Sequence, residues 1–467
     1  MLLRGERVRR DKVLRVKNPY NGEVVAEISI SERDDIETAI KTARQGHEAL
    51  KDMTTGARAQ ILEDCAGIIS KRKEDFARTI SLEAGKTIKE SRGEVDRCIN
   101  TLRLSATAAR ELGGETVNFD LYGKSNKIGF YRRVPVGIAV AISPFNFPLN
   151  LVAHKLGPSV AAGNGIILKP ASKTPLSGIM LAEALVAAGL PETAITVLIG
   201  SGPEVGEPLV SHAKVRLVTF TGSLAVGQRI AQLAGLKRLV MELGSNSGVI
   251  IWKDGDLARA AKRIRLGGYA LAGQVCISVQ RVYVERSIAD DFVRLLKREV
   301  ETIRYGDPLH EETEMGPMIS LAAAENAERL VIEAVSAGGQ LITGGRRDGT
   351  MFVPTILYDV PESERAIKEE AFAPIVVVNP VDTIEDAIWR MNESIYGLQA
   401  GVYTNNLKVA FQCLDKLEAG GVLINEIPTY RVDNMPYGGV KGSGLGREGP
   451  RFAIEEHTEI KLMIIDR

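Results

Sequence analysis

Between Val134 and Glu242 short apolar runs alternate with stretches of helical periodicity, and this alternation constrains the fold more than any other feature. The runs are Val136–Ile142, Gly165–Leu168, Ile195–Ile199, Leu217–Phe220 and Leu239–Met241. Short strands separated by helices imply a parallel sheet built by right-handed crossovers. A second series runs from Val249 to about Asn425 and includes Gln280–Val284, Ile375–Val378 and Gly421–Ile424. Two α/β units without a long linker are therefore expected, within the two to four domains that a 467-residue chain suggests at roughly 150 residues each. No low-complexity segment or repeat of solenoid length interrupts them.

The flanks read differently. Val13–Val16 and Val24–Ile30 alternate around Asn18-Pro19-Tyr20-Asn21-Gly22, a hairpin signature. Ser31, with Asp34 three residues on, approximates a capping box opening a helical region that extends to about Leu112. Alternation returns at Gly113–Arg133, read as a second hairpin, and the tail Thr458–Ile465 reads as a final strand. Lys plus Arg and Asp plus Glu both total 59, and aromatic residues make up 5%. That balance argues against a nucleic-acid or anionic-membrane partner. No apolar window approaches the ~18 residues of a membrane span, and the charged stretch Met1–Lys12 lacks the apolar core of a secretory signal. Cys65, Cys98, Cys276 and Cys413 lie far apart without a CxxC pair, which disfavours a disulfide framework or a zinc site. A cytoplasmic enzyme with reduced thiols and no metal is the expectation.

Four short segments carry residues suited to chemistry. Cys276, in Gly273-Gln274-Val275-Cys276, reads first as a small buried residue, but the turn before it and the strand after it are where nucleophiles are presented. The other three cysteines fall in amphipathic helices. Glu242, in Met241-Glu242-Leu243-Gly244, is either a solvated carboxylate or one desolvated by apolar neighbours, with its pKa raised toward that of a general base. Asn146, held in Pro144-Phe145-Asn146-Phe147-Pro148, is a rigid-loop residue whose amide suits an oxyanion, a role worth about 3–4 kcal/mol. Phe220-Thr221-Gly222-Ser223 through Gly227 follows a strand and opens a helix, the setting in which backbone amides and the helix dipole bind phosphate.

Taken in order, Pro-x-Asn-x-Pro, Lys169-Pro170, Phe220-Thr221-Gly222-Ser223, Glu242-Leu243-Gly244 and Gly273-Gln274-Val275-Cys276 resemble the aldehyde dehydrogenase superfamily. The resemblance continues through Glu369-Glu370-Ala371-Phe372-Ala373-Pro374 and Pro436-Tyr437-Gly438-Gly439 to Ser443-Gly444, essentially the whole chain. It implies an α/β fold of three parts. A Rossmann-like cofactor domain would span 1–112 and 134–243, an α/β catalytic domain 244–445, and a small protruding β element for oligomerisation 113–133 and 458–467. It implies that the Cys276 thiolate attacks an aldehyde, that the Asn146 amide and the Cys276 N–H hold the oxyanion, and that hydride leaves to a nicotinamide. Glu242 would then activate water against the thioester, with Lys155 and Glu448 as a proton-relay pair. The cofactor, NADP or NAD, would meet Ile142, Ser143, Pro144, Phe145, Lys169, Ser172, Gly202, Gly222, Ser223, Val226, Leu243, Glu370 and Phe372. A small-molecule aldehyde is the implied partner, in a homodimer or homotetramer.

Two positions depart from the family pattern. Ser172 stands where members that prefer NAD have Glu, so no carboxylate there repels a 2′-phosphate and NADP is at least accepted. Ser245 replaces the second Gly after Glu242-Leu243-Gly244, which is tolerable at negative φ or in an Asn-like left-handed geometry. For the substrate, the resemblance points to Phe147, Val275, Ile277, Tyr430 and Arg431. An Arg at that last position is similar to the lactaldehyde, non-phosphorylating glyceraldehyde-phosphate and phosphonoacetaldehyde branch, although a solvated loop Arg fits the sequence as well. An acylating enzyme that uses coenzyme A is the alternative reading, and Glu242 counts against it. A non-catalytic structural homologue is another, opposed by the joint presence of Cys276, Glu242 and Asn146. A cofactor-free cysteine hydrolase lacks a suitably set His.

Overall fold

The protein is described by a computed structural model covering residues 1–3 and 5–467. Each series of apolar runs forms one sheet. In the first, Ile195–Val197, Gly165–Lys169, Ile138–Ile142, Val215–Thr221 and Arg238–Glu242 lie parallel and in that spatial order. The chain moves outward one way from Ile138–Ile142 and then returns to build the other side. The resulting crevice lies between Ile138–Ile142 and Val215–Thr221, at the strand ends where open α/β sheets bind ligands. The register brings those ends level: Ile142 pairs with Lys169 and with Phe220, and Thr221 with Glu242. In the second sheet Thr355–Tyr358, Ile375–Val381, Arg281–Glu285, Gly248–Ile251, Gln399–Tyr403 and Gly421–Ile424 are parallel, with Gln340–Thr343 antiparallel at one edge. Only residues 243–247 separate the last parallel strand of the first sheet from the first of the second. Strand Gly444–Leu445 pairs with Met241 and Glu242 in the first sheet, so these two residues do not extend the second unit as the sequence had suggested.

The helical region up to Leu112 divides into four helices, Arg33–Asp52, Thr55–Lys71, Lys73–Ala84 and Ile88–Glu111. The first starts later than Ser31, because the Ser31 hydroxyl accepts the Ile199 N–H and is not free to cap. Glu32 and Asp35 form the capping box instead. This helix packs tightly on the first sheet: a Cβ added to Gly165 would lie 1.8 Å from the Ala43 carbonyl oxygen. The layer also supplies buried carboxylates to elements far along the chain. Helix Asn150–Ala162 has no side-chain cap of its own, and Glu94 accepts the N–H groups of Leu149 and Asn150 at 2.9 and 3.0 Å. Glu83 does the same for Leu176 and Ser177 at the start of Leu176–Ala187. These are the unpaired donors and the positive dipole end that every helix start presents.

Lys127–Pro135 and the tail Thr458–Asp466 pair antiparallel along their whole length, with Thr116–Val117 on the far edge. The expected hairpin therefore exists as a short edge strand, and the long strand takes the tail as its main partner. This small sheet joins neither large one and leaves Phe130, Ile460, Leu462 and Ile464 exposed. Among the described residues no helix is long and apolar enough to cross a membrane.

Candidate active site

A cavity of about 760 Å³ opens at the crevice of the first sheet and reaches the thiol-bearing loop before the second. It is lined by Ile142, Ser143, Pro144, Phe145, Lys169, Gly202, Gly222, Ser223, Val226, Leu243, Glu370 and Phe372, together with Asn146 and Cys276. Of the residues expected around a cofactor only Ser172 is missing. Its hydroxyl donates to the Gly200 carbonyl at 3.1 Å. Glu207 and Arg229, which the sequence had not singled out, lie on the wall as a bidentate ion pair.

The walls suit a dinucleotide. Helix Leu224–Ala234 begins at the cavity, with the Ser223 hydroxyl accepting the Val226 N–H. Lys169 is buried with no acidic side chain to offset it, and desolvation lowers its ammonium to about 8, a site that gains from an anion or hydroxyl oxygens. A Cβ at Gly202 would meet nothing within 4 Å, leaving room for a flat group. Opposite, the Glu370 carboxylate accepts the Ser245 N–H at 2.9 Å, and burial raises it to about 7. Ser245 has a negative φ, so the missing glycine costs no strain. Phe372 is held at φ 45°, with its ring edge-on to Phe145 at 5.8 Å. Such strained backbone gathers at functional sites.

The loop that carries Cys276 is braced from several directions. Leu271 and Ala272 take left-handed φ values of 48° and 52°, and Glu90 accepts the Leu271 N–H at 2.9 Å. Gln274, fully buried, donates to Leu271 O and accepts from the Ile319 N–H. Asn146 Nδ2 donates to Gln274 O at 2.9 Å, which ties the two loops together and leaves its second hydrogen free. Cys276 is half-buried, with Sγ 3.1 Å from the Tyr437 hydroxyl. Burial pushes its thiol up to about 12, against the pull of Tyr437 and Arg431.

Behind the sulfur lies a buried charge cluster. Glu242 is 2% exposed, not solvated, and among the described residues neither of its oxygens has a hydrogen-bond partner. Desolvation, reinforced by Glu448, holds its pKa well above the ordinary carboxylate value. Lys155 Nζ donates to Thr221 Oγ1 at 2.7 Å and lies 3.5 Å from Glu448 Oε1. Arg431, expected to face the substrate or solvent, is instead buried. Its Nη2 donates to Glu448 Oε2 at 2.9 Å and its guanidinium lies 3.7 Å from the Tyr437 ring centroid. Asp433 continues the cluster to Arg97 at 2.7 Å and His154 at 3.1 Å. Tyr430 turns outward at 46% exposure, tied by its carbonyl to Gln399. Val275 and Ile277 pack with Leu271, Leu398 and Tyr437, and Phe147 lies against that group with Lys86 Nζ 3.6 Å from its ring centroid. Arg97, His154, Asp433 and Tyr437 escaped the sequence reading. Only Tyr437 stood in a recognisable motif.

Comparison with known proteins agrees with this architecture. Residues 7–463 match the model of the aldehyde dehydrogenase family. The chain is 44% identical to a 3-sulfolactaldehyde dehydrogenase of Priestia aryabhattai, over 97% of this chain and 95% of that one. It is 41% identical to a lactaldehyde dehydrogenase of Methanococcus aeolicus over the full length of both. The crystal structure of a glyceraldehyde-3-phosphate dehydrogenase from Methanocaldococcus jannaschii, complexed with NADP, superposes with a TM-score of 0.95 at 40% identity, covering 98% of this chain and 100% of that one. The chain belongs to the aldehyde dehydrogenase family. It is an oxidoreductase, an NAD(P)-dependent aldehyde dehydrogenase, and solved structures of this fold hold NADP or NAD.

The raised pKa of Glu242 has a consequence for stability. The folded chain keeps a proton there that the unfolded chain releases near 4.5, so stability is lost as pH rises above that value. Glu242→Gln removes the liability. The variant is expected to gain stability over the wild type, and by more at about pH 8 than at about pH 5, in urea unfolding at both. A gap that shrinks as pH rises would contradict the assignment.

Proposed function

We propose that the enzyme oxidises a small polar aldehyde, of the lactaldehyde or glyceraldehyde type, to its carboxylic acid, with Cys276 as nucleophile. The observation that carries this reading is one cavity shared by Cys276, Asn146, Lys169, Ser223 and Glu370. Cys276 Sγ attacks the carbonyl carbon, and the oxyanion of the thiohemiacetal is met by the free Asn146 hydrogen and the Cys276 N–H. A bound nicotinamide would supply the hydride acceptor, and loss of hydride from the thiohemiacetal carbon leaves a thioester on Cys276. Glu242 removes a proton from the water that hydrolyses the thioester, a task its raised pKa suits once it is ionised. Lys155 and Glu448, in contact with each other, relay protons behind it.

On the cofactor side Lys169 would hold the adenosine ribose, Ser223 and the helix start the pyrophosphate, and Glu370 the nicotinamide ribose. Phe147, Val275 and Ile277 form the apolar side of the substrate pocket, and Arg431 supplies positive charge behind it. The substrates in the relatives' names, 3-sulfolactaldehyde, lactaldehyde and glyceraldehyde-3-phosphate, all carry polar groups beside the aldehyde carbon and support this class. In stopped-flow assays with such aldehydes, Cys276→Ala is expected to show neither burst nor turnover of NAD(P)H. Glu242→Gln should show a burst followed by slow turnover, because acylation survives and hydrolysis fails. Turnover in Cys276→Ala, or equal loss of both phases in Glu242→Gln, would overturn these roles.

NADP is accepted at least as well as NAD. The unpaired Lys169 supports this, as does the absence of a carboxylate at position 172, where one would repel a 2′-phosphate by several kcal/mol at low dielectric. Ser172→Glu should move the ratio of kcat/KM values toward NAD by about tenfold, some 1.4 kcal/mol. A wild type that strongly prefers NAD, with an unmoved ratio in the variant, would show that another residue selects the cofactor.

The small sheet of Lys127–Pro135 and Thr458–Asp466 pairs subunits, because its exposed apolar residues need cover that this chain does not supply. Removing Glu459–Arg467 should give monomers or aggregates, and an unchanged mass by light scattering would refute the assignment.

A further inference from the structure

Tyr437 is 2% exposed and sits among Leu271, Val275, Ile277 and Leu398. A phenylalanine would fill that apolar space without the cost of burying a hydroxyl, so the hydroxyl needs a partner to be worth its place. Among the described residues its one hydrogen-bond partner is Cys276 Sγ, at 3.1 Å. The ring face is also occupied: the Arg431 guanidinium lies 3.7 Å from its centroid and is held there by Glu448 Oε2 at 2.9 Å. Tyr437 and Glu448 are themselves joined by reciprocal backbone hydrogen bonds, Tyr437 N–H to Glu448 O at 3.1 Å and Glu448 N–H to Tyr437 O at 2.6 Å. Cation, ring and sulfur therefore form one braced line across three chain segments.

We propose that Tyr437 is a catalytic residue of this enzyme, donating its phenol O–H to the Cys276 thiolate, and that Arg431 is the positioning residue that holds and polarises the ring. This rests on the reading of Cys276 as nucleophile. When the Cys276 S–H bond breaks, its proton leaves to solvent, the electron pair stays on sulfur, and Tyr437 keeps its own proton. Burial raises the phenol well above its ordinary value, so it remains a donor throughout the working range. The other groups facing the sulfur oppose one another. Glu242 and Glu370 disfavour the thiolate, while Arg431 and the Tyr437 hydrogen bond favour it. A neutral donor aimed at sulfur, with a cation over its ring, stabilises the anion without an adjacent base that would compete with Glu242.

The test reads the thiol directly in the full-length protein without aldehyde. Iodoacetamide alkylation of Cys276, followed by mass spectrometry, is expected to slow about tenfold near pH 8 in Tyr437→Phe, the scale of a hydrogen bond to a charged group. Tyr437→fluorotyrosine preserves the packing and makes the phenol more acidic, so alkylation should speed up. Arg431→Met should slow the reaction as Tyr437→Phe does, and Arg431→Lys should restore most of the rate. Unchanged alkylation in Tyr437→Phe or in Tyr437→fluorotyrosine overturns the proposal. Cys276→Ala turnover separately decides whether Cys276 is the nucleophile at all.

Discussion

Glu448 carries its charge where water does not reach, and much of the site is arranged around that one carboxylate. Its two oxygens are divided between Lys155, at 3.5 Å, and Arg431, at 2.9 Å. Lys155 comes from the helix that follows the Asn146 loop, and Arg431 from the loop that precedes Tyr437. Burying such a pair gains little over an apolar pair of the same shape, but removing one member strands the others at a cost of about 3–5 kcal/mol. The triad therefore contributes less to stability than to specificity, since it fixes the relative placement of segments nearly three hundred residues apart in sequence. Shared between two cations, Glu448 stays ionised below the usual carboxylate range, and its charge in turn helps to keep Glu242 protonated.

The same dryness sets the chemistry of the neighbouring groups. Desolvation is the largest influence on Glu242, Glu370 and Cys276 alike, and it moves all three toward their neutral forms. A water-activating carboxylate benefits from that direction and a nucleophilic thiol suffers from it. On the proposed roles, a neutral acid and an anionic sulfur have to be favoured side by side. The separation comes from local partners: among the described residues Glu242 has none, whereas Cys276 faces a hydroxyl backed by a guanidinium.

The N-terminal helices put no residue on the cavity wall and hold the site from behind. Glu83, Glu90 and Glu94 each accept backbone N–H groups from a distant segment: the start of Leu176–Ala187, the Leu271 turn and the start of Asn150–Ala162. Lys86 offsets Glu94 and also lies against the Phe147 ring, so a structural ion pair reaches the loop that carries Asn146. These carboxylates look like ordinary charges of amphipathic helices until the fold buries them.

What the sequence by itself determined was local and periodic. The apolar runs defined the strands and hence two parallel sheets, because strand and helix patterns depend on neighbours a few residues away. The ordered motifs likewise put Cys276, Asn146 and the glycine turns at strand ends, and the cavity collects them together with all but one of the expected cofactor-lining residues. Tertiary structure decided where side chains pointed and what they met. Ser172 turned to the Gly200 carbonyl, Arg431 went inward to Glu448 while Tyr430 went outward, and Ser31 gave up its cap to pair with Ile199. The contact between Tyr437 and Cys276 spans 161 positions, a distance over which no periodicity reports. A side chain's rotamer and charge state are set by the partners that folding brings to it, and those partners lie outside any local window of the sequence.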